Sequence, residues 1–152
     1  MVVMNSILGY YQINDRLATS GQPTSEQFKL IADDGYQAVI NLAMSTSTNA
    51  LIDEETIVTS LGMLYIHLPV IWENPKLEDV KQFFEIMRSL LNQKVWVHCA
   101  KNMRVSCFIY FWQKYVLQLP EKQAQYPMNQ IWQPEGVWRQ LIDQVEVSFG
   151  NT

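Results

Sequence analysis

One short segment of the sequence brings a thiol, a guanidinium group and a run of backbone amides together. It reads His98-Cys99-Ala100-Lys101-Asn102-Met103-Arg104-Val105-Ser106 and separates a strand-like apolar run from a helix-like one. A loop that enters a helix presents unpaired N–H groups and the positive end of the helix dipole, which together attract an anion. The same field stabilises a thiolate at Cys99, and Arg104 offers a planar cation suited to bidentate phosphate binding. The segment therefore predicts phosphoryl transfer through a phosphocysteine.

The elements that position this segment follow from the pattern of apolar residues. A hairpin is predicted over residues 10–13 and 17–20, and further strands over residues 38–42, 64–70 and 94–98. Helices are predicted over residues 24–34, 53–61, 76–92, 105–116, 120–132 and 134–147. The first of these helices has capping-box spacing between Thr24 and Gln27. The alternation predicts an α/β fold with a mostly parallel central sheet flanked by helices, and sites beyond the carboxyl ends of the strands.

The composition excludes several other kinds of protein. A length of 152 residues suits one domain over residues 1–152, and a net charge of −4 argues against nucleic-acid partners. Two cysteines and two histidines leave little for a disulfide framework or a zinc site, so we predict no metal and no cofactor. The start of the chain does not look like a signal peptide, and no apolar run is long enough for a bilayer. These features predict a cytoplasmic protein without a membrane partner.

The segment resembles the signature of cysteine-dependent tyrosine and dual-specificity phosphatases, which is His-Cys, five residues, Arg, then Ser or Thr. It departs from that signature because only four residues separate Cys99 from Arg104, and the usual loop glycine is missing. The whole chain resembles a bacterial phosphatase-like domain of unknown function with this shortened loop, found alone or in beta-lactamase-hydrolase-like proteins. The shared features are Leu17-Ala18-Thr19-Ser20-Gly21-Gln22-Pro23, Val39-Ile40-Asn41-Leu42, Leu68-Pro69-Val70, His98-Cys99 and Asn102-Met103-Arg104-Val105-Ser106.

The resemblance implies a cysteine phosphatase-like fold and a role for each residue of the loop. Cys99 would be the nucleophile and Arg104 the phosphate clamp, while His98 would orient the loop. Further phosphate contacts would come from the backbone amides of Ala100, Lys101, Asn102, Met103 and Arg104. Ser106 would donate a hydrogen bond to the leaving thiolate.

A general acid must also protonate the leaving alcohol. Phosphatases of this type carry it as an Asp on an upstream loop, and the matching segment here is residues 71–75. That segment contains Glu73 but no Asp, so Glu73 is the candidate acid. Asp79 is the second choice, although it lies in the first turns of a predicted helix, where a carboxylate also suits the dipole.

Other reactive side chains are predicted to be structural. Cys107 lies within an apolar helix and is assigned to the core, with a resolving thiol for Cys99 as its alternative role. His67 alternates with apolar residues on a strand, which favours a structural histidine. Four of the five tryptophans are assigned to packing, while Trp72 is in position to line the mouth of a pocket.

Three functions fit these residues. The first is a cysteine phosphatase that acts on a phosphorylated protein or small molecule, with phosphotyrosine among the candidate substrates. The second is rhodanese-like sulfur transfer, because the six residues from Cys99 to Arg104 match the shorter loop of those enzymes. The third is a non-catalytic module that binds a phosphorylated ligand. The sequence leaves the substrate and the oligomeric state open.

Overall fold

The computed structural model describes residues 3–150. Within that range the strands are β1 (Tyr11–Asn14), β2 (Leu17–Ser20), β3 (Ala38–Asn41), β4 (Leu64–His67) and β5 (Val95–His98). The α-helices are α1 (Ser25–Asp33), α2 (Glu54–Ser60), α3 (Leu77–Ser89), α4 (Met103–Phe111), α5 (Glu121–Ala124), α6 (Met128–Ile131) and α7 (Val137–Phe149). A 3-10 turn at Met4–Ser6 precedes β1, and a π-helical turn at Trp112–Val116 continues α4.

The strands form one mixed sheet in the order β1-β2-β5-β3-β4. The hairpin pair β1 and β2 is antiparallel, and every other pairing is parallel. β5 therefore lies in the middle, between β2 and β3, and the chain leaves its carboxyl end where neighbouring strands point the same way. Such a position is where α/β proteins build their sites. The predicted fold class is confirmed.

Side chains alternate between two apolar layers on the faces of the sheet. Val95 and Val97 of β5 face a cluster that includes α3, α4 and α7, whereas Trp96 faces a second cluster that includes α1 and α2. α4 is buried from Arg104 to Phe111, as its apolar composition predicts. Because α4 is buried almost all round, packing fixes it in place and with it the loop that leads into its first turn.

Local sequence signals explain most of the helix boundaries. At the start of α1, the Thr24 hydroxyl accepts from the Gln27 amide at 3.1 Å, and the Gln27 side chain accepts from the Thr24 amide at 2.9 Å. This is the predicted capping box. The helix ends just before Gly35, whose φ of +91° lies in the region that glycine tolerates best. Among residues 3–150, no helix combines the length and apolar character needed to cross a bilayer.

Several predicted elements differ from the structure at their ends: the helix predicted over residues 134–147 is Val137–Phe149, and that predicted over residues 76–92 is Leu77–Ser89. Three further differences have a local reason or bear on the site. The helix predicted over residues 120–132 is two short helices, because Pro127 lacks an N–H group and so begins a new helix instead of continuing α5. The strand predicted over residues 64–70 ends at His67, since Pro69 has no donor for the ladder. The helix predicted from residue 105 begins at Met103, so Arg104 belongs to its first turn.

Candidate active site

The loop between β5 and α4 forms the floor of a cavity of about 240 Å³. The residues that line the cavity are Trp72, Cys99, Ala100, Lys101, Met103 and Arg104. Five of them belong to the predicted loop, and the sixth, Trp72, is the tryptophan predicted at a pocket mouth. Cys99 is only 1% exposed, so its thiol is reached from within this cavity and not from the open surface.

Asn102 bends the loop into the helix. It is the N-cap of α4 and has a φ of 66°, a left-handed conformation that asparagine adopts more readily than other non-glycine residues. Its side-chain amide donates to the Gly9 carbonyl at 2.7 Å and to the Thr19 hydroxyl at 3.0 Å. Asn102 thus fills the place of the missing loop glycine, and its side chain anchors the loop to the β1–β2 region instead of lining the cavity.

The first peptide of the loop is oriented by the histidine that precedes it. Nδ1 of His98 lies 3.1 Å from the Cys99 carbonyl oxygen. In a trans peptide the carbonyl and the N–H point in opposite directions, so this contact turns the Ala100 N–H away from the His98 ring. Ala100 lines the cavity, and its N–H donates to no protein acceptor within residues 3–150, so it is available to an anion.

The second peptide of the loop, between Ala100 and Lys101, is also oriented by hydrogen bonds to its carbonyl oxygen. The Ala100 carbonyl accepts hydrogen bonds from the Gln22 backbone amide at 3.1 Å and from the Asn49 side chain at 3.0 Å. The N–H of Lys101, on the same peptide unit, consequently faces away from both donors. Asn49 belongs to the Ser/Thr-rich segment between β3 and α2, so that segment takes part in shaping the loop.

Gly21 allows this close packing. A Cβ atom at residue 21 would lie 2.7 Å from the Ala100 carbonyl oxygen and 3.1 Å from the Lys101 Cα. Both are backbone atoms of the loop, so any side chain at residue 21 would push the loop out of position. The glycine that follows β2 is thus required by the close approach of two chain segments.

The loop and the first turn of α4 contain a run of unpaired backbone donors. Within residues 3–150, the amides of Ala100, Lys101, Met103, Arg104 and Val105 donate to no protein acceptor. Unsatisfied amides at the start of a buried helix, next to the positive end of its dipole, are a common arrangement for binding phosphate. All of these donors except Val105 are among those predicted from the sequence.

Arg104 lies in this turn without an acidic partner among the described residues. It is 9% exposed, and its Nε is buried with no hydrogen-bond partner within residues 3–150. The guanidinium carbon lies 5.7 Å from the centre of the Trp72 ring, a cation–π contact. A buried N–H without an acceptor on a permanently charged side chain is costly, and an anionic ligand in the cavity would supply the missing acceptor.

Trp72 is held by two other tryptophans. Its ring centre lies 5.4 Å from those of both Trp132 and Trp138, and the Trp138 indole donates to the Trp72 carbonyl at 2.9 Å. The predicted packing role of Trp132 and Trp138 therefore extends to the cavity, because they support its aromatic wall.

The sequence-based role of Ser106 needs correction. Its hydroxyl donates to the Met103 carbonyl at 2.8 Å and accepts from the Trp132 indole at 3.0 Å, and it does not line the cavity. Because α4 begins at Met103, Ser106 is the fourth residue of the helix and bonds back to the first turn. The hydroxyl is therefore not available to the Cys99 thiolate in this structure.

A buried acid that the sequence did not reveal lies behind His98. Oε2 of Glu54 is 2.6 Å from Nε2 of His98, and Oε1 accepts from the Gln22 side chain at 2.6 Å. Burial alone would raise the pKa of Glu54. The hydrogen bonds from His98 and Gln22 have the larger combined effect, so the pKa of Glu54 lies below its usual value. In the sequence, Glu54 looks like an ordinary acidic residue at a helix start, so only the tertiary structure identifies it.

The two candidate acids occupy different settings. Glu73 is exposed and follows the cavity-lining Trp72 directly in the sequence. Asp79 accepts a hydrogen bond from the Lys76 backbone amide at 3.1 Å at the start of α3, and burial raises its pKa. Asp79 thus caps a helix. Neither carboxylate is among the residues that line the cavity, so the assignment of the general acid to Glu73 stays a prediction.

Cys107 and His67 have structural surroundings. Cys107 is completely buried, and burial raises the pKa of its thiol, which favours the predicted core role over that of a resolving thiol. His67 lies with Nε2 2.6 Å from the Ala43 carbonyl oxygen, which gives it the hydrogen bond expected of a structural histidine.

The fold and the loop at the end of β5 define a cysteine phosphatase fold. TpbA from P. aeruginosa, solved in complex with phosphotyrosine, is 14% identical and superposes with a TM-score of 0.70 over 100% of this chain and 96% of its own. A DUF442 protein from Shewanella putrefaciens CN-32, described as a candidate phosphatase, is 36% identical, with a TM-score of 0.86 over 96% of each chain. The predicted fold family is thereby confirmed.

The sequence comparisons identify the family. The model of the DSP-PTPase phosphatase fused to NAD+ kinase matches residues 10–145, and the chain belongs to this family. A beta-lactamase hydrolase-like protein from Xylella fastidiosa strain Temecula1 is 32% identical over 95 residues, which is 60% of this chain and 22% of that protein. The chain therefore matches about a fifth of the length of this curated relative.

Proposed function

We propose that this chain is a cysteine phosphatase that hydrolyses phosphate monoesters through a phosphocysteine at Cys99. The observation that carries the proposal is Arg104, which lines the cavity together with Cys99 and whose Nε is buried without a hydrogen-bond partner within residues 3–150. Lys101 adds a second positive charge to this cavity, and no carboxylate is among its lining residues within the described range. The site is thus locally cationic in a chain of net charge −4, as an anionic substrate requires.

The proposed reaction has two displacements at phosphorus. The Cys99 thiolate attacks the phosphate, the S–P bond forms as the bond to the ester oxygen breaks, and a general acid protonates the leaving alcohol. Water then attacks the phosphocysteine, the S–P bond breaks, and the phosphate leaves as dihydrogen phosphate with both protons of that water and the thiolate restored. The general acid regains its proton from solvent, which completes the cycle. Arg104 and the free amides hold the non-bridging oxygens throughout, where the charge of the transition state is concentrated.

An aryl phosphate is the substrate class best supported. The cavity is small, about 240 Å³, and the Trp72 ring forms one of its walls, so an aromatic ester has a surface to stack against. TpbA, which shares the fold, was solved in complex with phosphotyrosine. The same cavity chemistry also suits a phosphorylated small molecule, so both remain within the proposal.

Family membership favours phosphate chemistry over sulfur transfer at Cys99. The deciding experiment is to mix the protein with 4-nitrophenyl phosphate, quench with acid and locate the adduct by mass spectrometry. We expect release of 4-nitrophenolate and a phosphate adduct on Cys99. Phosphate binding without release or adduct would instead indicate a binding module, and a Cys99 persulfide formed from thiosulfate would indicate sulfur transfer.

The general acid is tested by the choice of leaving group. We expect Glu73→Gln to lower kcat for phenyl phosphate by about 100-fold, because phenolate leaves poorly without a proton. The rate with 4-nitrophenyl phosphate should change little, since 4-nitrophenolate leaves as the anion. Asp79→Asn is the matched control, and a selective loss in that variant instead would assign the acid to Asp79.

A further inference from the structure

A buried carboxylate lies next to the loop between β5 and α4, and no step of the proposed reaction uses it. Glu54 is 4% exposed and lies outside the cavity lining, yet it contacts the fully buried His98 at 2.6 Å. Buried ion pairs add little net stability, because removing both charges from water offsets their attraction. Because Glu54 and His98 lie next to the loop between β5 and α4, we consider a role for the pair in the geometry of that loop instead.

Both ring nitrogens of His98 face oxygen acceptors. Nε2 faces the Glu54 carboxylate at 2.6 Å, and Nδ1 faces the Cys99 carbonyl at 3.1 Å. A neutral imidazole carries one N–H and can donate to only one of these oxygens, whereas the imidazolium donates to both. The contacts are satisfied when His98 is doubly protonated and Glu54 is ionised. A protonated Glu54 that donates to Nε2 of a neutral His98 would satisfy them too, but the hydrogen bonds from His98 and Gln22 lower the pKa of Glu54 and so favour the ionised carboxylate.

We propose that Glu54 is a positioning residue, which keeps His98 doubly protonated and so fixes the direction of the Ala100 N–H. With a proton on Nδ1, His98 holds the Cys99 carbonyl, and the N–H of the same peptide unit faces the cavity. With a bare Nδ1, two lone pairs would face each other, and the peptide would lose its orientation. The identity of the anion that this N–H binds rests on the proposed function.

The surroundings of Glu54 leave His98 as its charged partner. The groups that face the carboxylate are Gln22 after β2, Tyr65 of β4 and His98 of β5. Gln22 has no charge, and burial raises the pKa of Tyr65 above its usual range, so that its hydroxyl stays neutral near pH 7. Among the described residues that contact Glu54, only His98 can balance its charge.

The test does not depend on turnover. In long-range ¹H–¹⁵N spectra at pH 7, we expect both nitrogens of His98 to carry protons in the wild type and only one in Glu54→Gln. Binding of inorganic phosphate, followed through the Ala100 amide, should weaken about tenfold in Glu54→Gln. Glu55→Gln, a change in the exposed acid next to it on α2, should leave phosphate binding within about twofold of the wild type.

Two results would overturn the proposal. One is a singly protonated His98 in the wild type, which can be read even if Glu54→Gln does not fold. The other is equal phosphate affinity in Glu54→Gln and Glu55→Gln. Failure of the proposed function looks different, because the protein would then bind phosphate and show the doubly protonated His98 without hydrolysing any aryl phosphate.

Discussion

Replacing Cys99 by serine is expected to lower kcat for 4-nitrophenyl phosphate by at least about 1000-fold. A serine hydroxyl ionises far less readily than a thiol and so supplies almost no nucleophile at neutral pH. The substitution preserves size and leaves Arg104 and the loop amides in place. Inorganic phosphate should therefore still bind within about threefold of the wild type, as measured by calorimetry.

The matched control for this experiment is the second cysteine. Cys107 is buried in α4, belongs to the hydrophobic core and does not line the cavity, so Cys107→Ala should leave kcat within about twofold of the wild type. It is expected to lower the free energy of unfolding by about 1 kcal/mol, because it leaves a small cavity. Activity that survives in Cys99→Ser would rule out a phosphocysteine.

Replacing Arg104 by lysine should lower kcat/KM by about 100-fold or more, although the charge is kept. A guanidinium donates two parallel hydrogen bonds to a phosphate and can stack on an aromatic ring, and the Arg104 guanidinium carbon lies 5.7 Å from the centre of the Trp72 ring. An ammonium group offers neither contact. Steady-state kinetics with 4-nitrophenyl phosphate measure the loss in kcat/KM, and calorimetric titration with inorganic phosphate measures the loss in phosphate affinity.

Arg139→Lys provides the comparison, because Arg139 is exposed on α7 and its contact with Asp143 is as long as 3.8 Å. Its kinetics should match those of the wild type. If Arg104→Lys also kept both its phosphate affinity and its kcat/KM, Arg104 would not be a phosphate ligand, and its unpaired Nε would need another explanation.

Much of the site was accessible from local sequence. The capping box of α1, the hairpin and the alternation of strands and helices are short-range signals, and they lead to the loop that holds Cys99 and Arg104. Trp72 was also predicted, since it follows a strand whose end lies at the same edge of the sheet. These features depend on propensity and on strand direction, both of which are encoded within a few residues.

The remaining features depend on contacts between distant segments. Glu54 acquires its role only because the sheet order brings α2 next to His98, and no pattern around Glu54 marks it. The predicted role of Ser106 depended on where α4 begins. With the left-handed Asn102 as its N-cap, α4 begins at Met103, two residues before the predicted start. The division of the predicted helix 120–132 was readable in principle, because Pro127 lies within it.

The contact between Gly21 and the loop between β5 and α4 limits which substitutions related sequences can accept. The segment after β2 and the loop after β5 touch backbone to backbone, so the shape of each is a condition for the shape of the other. A loop of a different length would present its carbonyls elsewhere, and the residue at position 21 would face a different restriction. The effects of substitutions in the two segments are therefore expected to be coupled. Whether a substitution in one segment is tolerated depends on the sequence of the other.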